Sequence, residues 1–322
     1  MKTVYPAYYK RFVCAAGECP DTCCAGWDVV VDDVSAEKYA RVEGAFGEKL
    51  REMMTVDGDE DTIFISQSGR CPFLNEKNLC EIYINCGEDF LCRTCDMFPR
   101  FVREFGSLRE IGLGLGCPEA AKLIVNEHPN FICETDDEIP APDDFDPRLF
   151  ASLCKLREKI SDILFRADFP FEICLANVMD LIEKAQSFID SEDYETLDSF
   201  TENFEFSGGK NLTLYGEKCK EILSEFEILN KEWSGIVART DFRKNVYFDT
   251  GFRNIAAYYI YRYFLDAVDD YDAVGKINLC AFSCEVIARV NDTGIPLEDA
   301  ARLYSKEAEY SAENLDILYD LL

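Results

Sequence analysis

The sequence predicts an α+β protein, mainly α, in which a small cysteine-rich mixed domain precedes a helical bundle. Eleven of the 16 cysteines lie in residues 1–133. Residues 134–147, "ETDDEIPAPDDFDP", are acidic, rich in proline and without apolar periodicity, as expected of a linker. Beyond them, apolar residues recur every three or four positions, which is typical of packed helices. We therefore predict domains at 1–133 and 148–322, joined by a linker at 134–147.

Short mixed elements are expected before the linker and long helices after it. The composition predicts strands at Trp27–Asp32, Thr62–Gln67 and Leu108–Gly116. Short helices are expected after Ser35 and after Pro118. Apolar spacing predicts six further helices, at Arg148–Phe165, Glu172–Ile189, Lys218–Trp233, Asn254–Val268, Ile277–Val290 and Asn314–Leu322.

The charge balance restricts the class of partner. The chain carries 33 basic and 62 acidic residues, a formal net charge of −29, so its field repels phosphate backbones and attracts cations. We expect no nucleic acid partner, whereas a lysine-bearing protein substrate would suit the surface. The alternative is that the acidity serves solubility alone.

The first residues contain no apolar run of the kind that precedes a signal cleavage site, and no later run is long enough to span a bilayer. The sequence thus predicts a cytoplasmic protein without a membrane partner. Thiols stay reduced in that compartment, where a cysteine cluster indicates metal binding or catalysis more often than disulfides.

The cysteine spacing favours a thiolate metal site. The chain has one histidine, His128, so a site must be all-thiolate or include carboxylates, which leaves cysteine-rich zinc or an iron–sulfur cluster. Cys92 and Cys95 form the one CxxC pair. The adjacent Cys23 and Cys24 point to opposite sides of an extended chain, so either one of them packs or each serves a different site. The later cysteines are expected in the core: Cys154, Cys174, Cys219, Cys280 and Cys284.

Several stretches carry a resemblance, in order and spacing: "FVCAAGECPDTCCAGWDVVVD", "CPFLNEKNLCEIY" followed by "TCDMFPR", and "GCPEAAKL". They resemble the flagellin lysine-N-methylase family, which is similar to the CxxxCC group of metal-chelating proteins. "RNIAAYYIYRYF" and "YSKEAEYSAENLDIL" are similar to later segments of that family. Two positions depart from the pattern, since Arg253 replaces an acidic residue and Tyr310 replaces a histidine.

The resemblance implies methyl transfer from S-adenosylmethionine to lysine ε-amines of flagellin, by an enzyme that carries an iron–sulfur cluster of the 4Fe–4S type. Zinc is the alternative metal. Cys86 and Cys92 stand outside the resemblance. The implied ligand candidates are Cys14, Cys19, Cys23, Cys24, Cys71, Cys80, Cys95 and Cys117.

The sequence itself offers few signs of methyl transfer. No GxGxxG follows a strand, and the glycines of Gly112–Gly116 are read as a tightly packed strand. The CxxxCxxC spacing of radical enzymes is absent. Cys19 and Cys23 match the first two cysteines of that motif, but Gly26 stands where the third cysteine is required.

Methyl transfer requires a neutral amine, which a nearby carboxylate or tyrosine, or desolvation, can provide. The late motif offers Glu307, Glu309 and Tyr310 as catalytic candidates. The alternative for these residues is an exposed first turn of a helix, in which glutamates offset the helix dipole. His128, beside a proline, is expected in a surface turn.

An aromatic run predicts a buried helix in which each hydroxyl finds a partner. The run comprises Tyr258, Tyr259, Tyr261, Tyr263 and Phe264. The alternative is an aromatic wall for an adenine or a methylated ammonium. On that reading Tyr259 and Trp27 contact the cofactor, although Trp27 also suits the shielding of a cluster.

Three classes of function stay open at this point. The first is a cluster-containing lysine methylase, the second a non-catalytic zinc or cluster scaffold, and the third a redox sensor. Metal content separates a zinc scaffold from a cluster protein. Binding of S-adenosylmethionine separates the enzyme from the other two.

Overall fold

The computed structural model describes residues 1–25, 29–56, 61–66, 69–139 and 145–322. It is mainly helical with a small sheet, which confirms the predicted α+β, mainly α class. None of the helices formed by these residues is long and apolar enough to cross a bilayer.

The main sheet brings together strands from distant parts of the chain. Its order is β4-β5-β1-β6, and β2 and β3 form a separate antiparallel pair. In the main sheet β1 pairs parallel with β5 and antiparallel with β6, while β4 and β5 form a hairpin. The φ of +52° at Gly106 suits the tight turn of this hairpin. The strands are β1 Lys2–Pro6, β2 Met54–Val56, β3 Thr62–Phe64, β4 Arg100–Phe105, β5 Leu108–Leu113 and β6 Phe131–Thr135.

The predicted helices after Ser35 and Pro118 are confirmed, whereas the strand predictions hold in part. Leu108–Gly116 contains β5, and Thr62–Gln67 shortens to Thr62–Phe64. Of Trp27–Asp32, the described part is no strand, because only Val30 forms an isolated bridge, to Ile63. The early helices are α1 Asp33–Ala40, α2 Gly44–Glu52, α3 Glu81–Cys86, α4 Arg93–Met97 and α5 Pro118–Asn126.

The second half is a bundle around a long central helix, α13, which is buried along nearly its whole length. The prediction of one helix at Lys218–Trp233 is wrong, because the first helix ends at Ser224 and a second helix begins at Lys231. The Asn230 side chain caps the N-terminus of the second helix. The helices are α6 Pro147–Leu164, α7 Phe171–Asp190, α8 Tyr194–Glu202, α9 Glu217–Ser224, α10 Lys231–Arg239, α11 Gly251–Tyr263, α12 Ala267–Asp270, α13 Ala273–Asn291, α14 Leu297–Ala308 and α15 Ala312–Leu321.

The buried apolar residues form two cores. The larger core combines the helical bundle with β5 and α5, so it draws on both sides of the predicted linker. The smaller core lies among α1, α2, α3 and β3, around Tyr39, Phe64 and Phe73. Glu134 and Thr135, at the start of the predicted linker, belong to β6. The domain boundary at 134–147 stays a prediction.

Most of the later cysteines are buried on helices, as predicted. Cys174, Cys219, Cys280 and Cys284 are buried, and Cys154 is partly buried against the larger core. They act as small apolar side chains.

Candidate active-site cavity and thiol groups

A buried ion pair anchors the C-terminal end of α14 to α11. The Arg262 Nη1 atom lies 3.0 Å from Oε2 of Glu309, with both side chains almost excluded from solvent. The hydroxyl groups of Tyr258, Tyr259 and Tyr263 donate to the Glu309 carboxylate at 2.7, 3.0 and 2.8 Å. Two pairs of residues four apart on α11 thus present four donors to one carboxylate. The predicted burial of the aromatic run, with partners for its hydroxyls, is confirmed.

A cavity of about 340 Å³ opens beside this cluster. Arg262 and Tyr310 form one wall, and the residues around the α4–β4 junction form the rest. The wall is mostly apolar or aromatic, and none of the described residues that form it carries a carboxylate. Its residues are Thr94, Met97, Phe98, Pro99, Arg100, Phe101, Arg262 and Tyr310.

Glycines after β5 let Tyr310 lie against the backbone. A Cβ atom on Gly116 would stand 2.4 Å from the Tyr310 ring, and one on Gly114 would stand 2.5 Å from its hydroxyl. Likewise, a Cβ on Gly112 would collide with the Phe101 ring at 2.4 Å. The segment Gly112–Gly116 is therefore packed tightly, as predicted, although the strand itself ends at Leu113. Its glycines leave room for two aromatic side chains of the cavity wall.

The three catalytic candidates lie in different surroundings. Only Tyr310 lines the cavity; Glu309 lies behind it, and Glu307 faces the start of α10. Glu307 and Glu309 are buried at the C-terminal end of α14. The alternative of an exposed first turn is therefore wrong.

Of the two cofactor candidates, only Tyr259 belongs to the described residues. Tyr259 is buried and bonded to Glu309, and it is not part of the cavity wall. Trp27 lies outside the described residues. Burial raises the pKa of Tyr310, while Arg262 opposes this shift, so its phenol stays protonated at neutral pH.

The burial of the Glu307 carboxyl is expected to make the stability of the fold depend on pH. Its oxygens accept the backbone N–H groups of Leu229 and Asn230 at 2.8 and 3.0 Å, and burial raises the pKa of the carboxyl to about 7 from 4.5. Because the fold binds this proton more tightly than the unfolded chain, the carboxyl's contribution to stability is complete below pH 4.5. It is lost as the pH rises through 7.

We expect Glu307→Gln to gain roughly 1–3 kcal/mol relative to the wild type between pH 5 and pH 8, measured by urea unfolding. Glu205→Gln, at an exposed loop position, is the control and should show no such trend. A difference between Glu307→Gln and the wild type that is the same at both pH values would contradict the prediction.

The N-terminal cysteine loop is tied to α14 by charge. The Asp21 carboxylate accepts from Arg302 and Lys306, and the Lys306 Nζ atom lies 3.0 and 2.9 Å from its two oxygens. Burial disfavours the charged carboxylate, but Lys306 and Arg302 hold the pKa of Asp21 below its usual value. The loop is therefore held against the face of α14 that carries Arg302 and Lys306.

Apart from Cys86 and Cys133, the thiols of residues 1–133 are considered as two sets. We call Cys14, Cys19, Cys23 and Cys117 the first thiol group, and Cys24, Cys71, Cys80, Cys92 and Cys95 the second thiol group. In the first group, Cys117 is the N-cap of α5, and the other three cysteines belong to the N-terminal loop. In the second group, Cys71, Cys80, Cys92 and Cys95 lie in or against the smaller core, and the Cys24 carbonyl accepts the backbone N–H of Cys71.

Residues of the cavity wall adjoin segments that carry cysteines of both thiol groups. Thr94 and Met97 of its wall flank Cys95 of the second group on α4. On the other side Tyr310 touches Gly116, directly before Cys117 of the first group.

The donor chemistry of both groups fits a metal that prefers sulfur. The Sγ atoms of Cys92 and Cys95 lie 3.5 Å apart, near the separation of about 3.8 Å implied by tetrahedral Zn–S bonds of about 2.3 Å. Within the described residues, no three His, Cys, Asp or Glu side chains already enclose a single ion. The cysteine ligand assignment therefore stays a prediction.

The two positions that depart from the family pattern have structural partners. The Arg253 guanidinium donates to the backbone carbonyls of Leu164 and Phe169, so it closes the turn after α6. Tyr310 packs against Phe98 in the cavity wall. His128 is exposed in a loop, as predicted.

Sequence reasoning missed Arg262 and Asp21. A charged residue within the aromatic run "AAYYIYRYF" was the available signal for Arg262, because a buried helix tolerates a charge only with a partner. The pairing of Asp21 with Arg302 and Lys306 spans nearly the whole chain. Local spacing gives no sign of such a contact.

The chain is similar to three curated proteins. The lysine-N-methylases of Salmonella typhimurium and Salmonella choleraesuis are each 28% identical to it over 134 residues, which cover 38% of this chain and 32% of each relative. The flagellar biosynthetic protein FliU of Salmonella muenchen is 29% identical over 136 residues, or 38% of this chain and 76% of that protein. The aligned part of the chain thus spans about a third of the length of the lysine-N-methylases it matches.

No family model and no solved structure matches the chain. The curated relatives support the predicted relation to the flagellin lysine-N-methylase family.

Proposed function

We propose that the chain is a protein lysine N-methyltransferase that transfers methyl groups from S-adenosylmethionine to lysine ε-amines of a flagellar protein. The observation that carries this proposal is the similarity to proteins named lysine-N-methylase. The name of the third relative, a flagellar biosynthetic protein, supports a flagellar substrate. The net charge of −29 favours a lysine-bearing partner over an anionic one.

The cavity beside Tyr310 is the proposed place of transfer. Its aromatic and apolar wall suits the hydrocarbon part of a lysine side chain or the adenine of the donor. An ammonium that enters the cavity loses part of its hydration, and it meets the positive charge of Arg262 but no carboxylate among the described wall residues. The loss of hydration and the like charge of Arg262 both lower the pKa of the amine, and they favour the neutral form that the reaction needs.

Three side chains have distinct roles in this proposal. Tyr310, on the wall, accepts a hydrogen bond from an N–H of the neutral amine through its phenol oxygen in this proposal, which orients the amine and leaves its lone pair free to attack. Arg262 and Glu309 act as positioning residues, because their ion pair fixes the wall behind Tyr310. In the transfer a nitrogen–carbon bond forms and the donor's carbon–sulfur bond breaks. The sulfur keeps the electron pair, and the amine releases a proton to water.

The implied iron–sulfur cluster would be held by cysteines of the two thiol groups. When bound, such a centre supplies Lewis-acid and one-electron chemistry. For such a centre, the contribution of the chain itself is to carry the thiols on segments that adjoin the cavity wall. Tyr310 connects the cavity to the first group, and α4 connects it to the second.

The test incubates the anaerobically purified chain with flagellin of the same organism and S-adenosylmethionine carrying an isotopically labelled methyl group. Mass spectrometry should locate label on flagellin lysines. Tyr310→Phe should lower kcat by at least about tenfold, since a positioned hydrogen-bonding group is lost. The matched control is Tyr247→Phe, because Tyr247 is 83% exposed. It should leave kcat unchanged.

Two results would overturn the proposal. One is the absence of labelled lysine together with the absence of S-adenosylmethionine binding in calorimetry, which would favour a scaffold or redox sensor. The other is methyl transfer that Tyr310→Phe leaves unchanged, which would remove the cavity from the reaction.

A further inference from the structure

We propose that Arg100 binds the carboxylate of the methionine part of S-adenosylmethionine at the cavity beside Tyr310. This assignment rests on the proposed function and adds to it a residue that selects the methyl donor. In this arrangement the aromatic side chains of the cavity wall contact the adenine of the same molecule.

The cavity wall carries positive charge in a chain that is otherwise strongly acidic. The formal net charge of the chain is −29. Among the described residues of the wall, Arg100 and Arg262 carry charge and none carries a carboxylate. A negative group therefore meets a favourable local charge at the cavity, although the chain as a whole repels anions.

The two arginines differ in how their charge is balanced. Arg262 forms the buried ion pair with Glu309, at 3.0 Å. In the described part of the chain, the contacts of Arg100 are with a carbonyl and with aromatic rings and not with a carboxylate. Its Nη1 atom lies 3.4 Å from the Asp96 carbonyl oxygen, and its guanidinium carbon lies 5.2 Å from the centre of the Phe12 ring.

The remaining neighbour of Arg100 is also a neutral group. Burial raises the pKa of the Tyr9 phenol, and the nearby Arg100 cation opposes this shift. Since Arg100 is only partly buried, water can reach its guanidinium. A guanidinium has five N–H donors in a fixed plane, which suits the two oxygens of a carboxylate. A ligand carboxylate can therefore replace water at Arg100.

The same short segment supplies aromatic rings beside this cation. Phe98, Arg100 and Phe101 lie within four consecutive residues of the wall. The carbonyl of Pro99, between them, accepts the backbone N–H of Gly114 at 2.6 Å, which ties the segment to the end of β5. The ring centres of Phe98 and Tyr310 lie 5.8 Å apart. Planar bases stack well on such rings.

A ligand that suits this wall combines a planar ring system with a carboxylate. S-adenosylmethionine has both, because its adenine is planar and its methionine part carries an α-carboxylate. Aromatic faces also attract its positively charged sulfonium. The lysine side chain offers neither a ring nor a negative group to Arg100. The cavity volume of about 340 Å³ is within the range of small-molecule sites.

The experiment measures the binding of two unreactive adenosine compounds by calorimetry, with the full chain purified without oxygen. S-adenosylhomocysteine keeps the amino-acid part with its carboxylate, whereas 5′-methylthioadenosine keeps the adenosine and the thioether without it. We expect Arg100→Gln to weaken the binding of S-adenosylhomocysteine by at least about tenfold, because charge-assisted hydrogen bonds are lost. The binding of 5′-methylthioadenosine should not change.

Two further variants complete the comparison. Arg100→Lys should restore part of the lost affinity, since lysine keeps the charge without the paired N–H groups. Arg243→Gln is the matched control, because the Arg243 side chain is 79% exposed, and it should bind both compounds as the wild type does. Circular dichroism shows whether each variant is folded. If Arg100→Gln does not fold, Arg100→Lys takes its place, with a smaller loss that is still confined to S-adenosylhomocysteine.

Equal affinity of the wild type and the folded Arg100 variants for S-adenosylhomocysteine would overturn the assignment and leave the proposed function intact. An equal loss of affinity for both compounds would also overturn it, because the carboxylate would then not be the group that Arg100 recognises. A wild type that binds neither compound would overturn the assignment together with the proposed function.

Discussion

Replacing Glu309 with alanine is expected to lower the free energy of unfolding by about 3–5 kcal/mol, because it leaves Arg262 as a buried charge without its partner. Removal of the carboxylate also takes the acceptor from three buried tyrosine hydroxyls. Each donor left without a partner adds to the loss. Equilibrium unfolding in urea measures the change.

Glu205→Ala is the matched control, since it removes the same charge from an exposed loop position. It should change the free energy of unfolding by less than about 0.5 kcal/mol. If Glu309→Ala costs no more than this control, the ion pair with Arg262 contributes nothing to the fold. The position of Tyr310 would then not depend on the ion pair between Arg262 and Glu309.

The second large effect is expected from Gly116→Ala, which places a methyl group 2.4 Å from the Tyr310 ring. The ring has to move, and overpacking of this kind costs about 1–3 kcal/mol. Displacement of a side chain that positions a reacting group by about 1 Å lowers rates by about a hundredfold. We therefore expect methyl transfer to fall by that order, while most of the protein stays folded at 25 °C.

Gly235→Ala provides the comparison, because a Cβ at this position of α10 meets no atom within 4 Å. Alanine favours the helix over glycine by about 0.5–1 kcal/mol, so this variant should be slightly more stable and equally active. Full activity of Gly116→Ala, measured with the labelled donor, would show that the position of Tyr310 does not matter for transfer.

The helices α6, α7, α11, α13 and α15 were predictable because their apolar spacing is regular and their buried faces are wide, whereas α8 and α14 were not predicted. The burial of the tyrosines on α11 and of the cysteines on α13 was predicted from the same spacing. The break between Ser224 and Lys231 was not predicted, because Glu307, far along the chain, accepts the N–H groups of Leu229 and Asn230 there. Strand β6 was also missed, since all five of its residues are exposed and give no alternation.

The candidate site was predictable only by its members and not by its assembly. Tyr310 was named from the late motif, but its setting depends on Gly114, Gly116 and Arg262, which come from two other segments. Local spacing identifies residue types that can carry chemistry. It contains no information on which of them meet across the fold.

The position of β1 inside the sheet has a consequence for how the molecule folds. Lys2 pairs with Leu108 on one side and Thr135 on the other. Strand β1 is therefore covered on both edges only after β5 and β6, which lie much later in the chain, have been synthesised. Such long-range pairings slow folding and leave strand edges open to association.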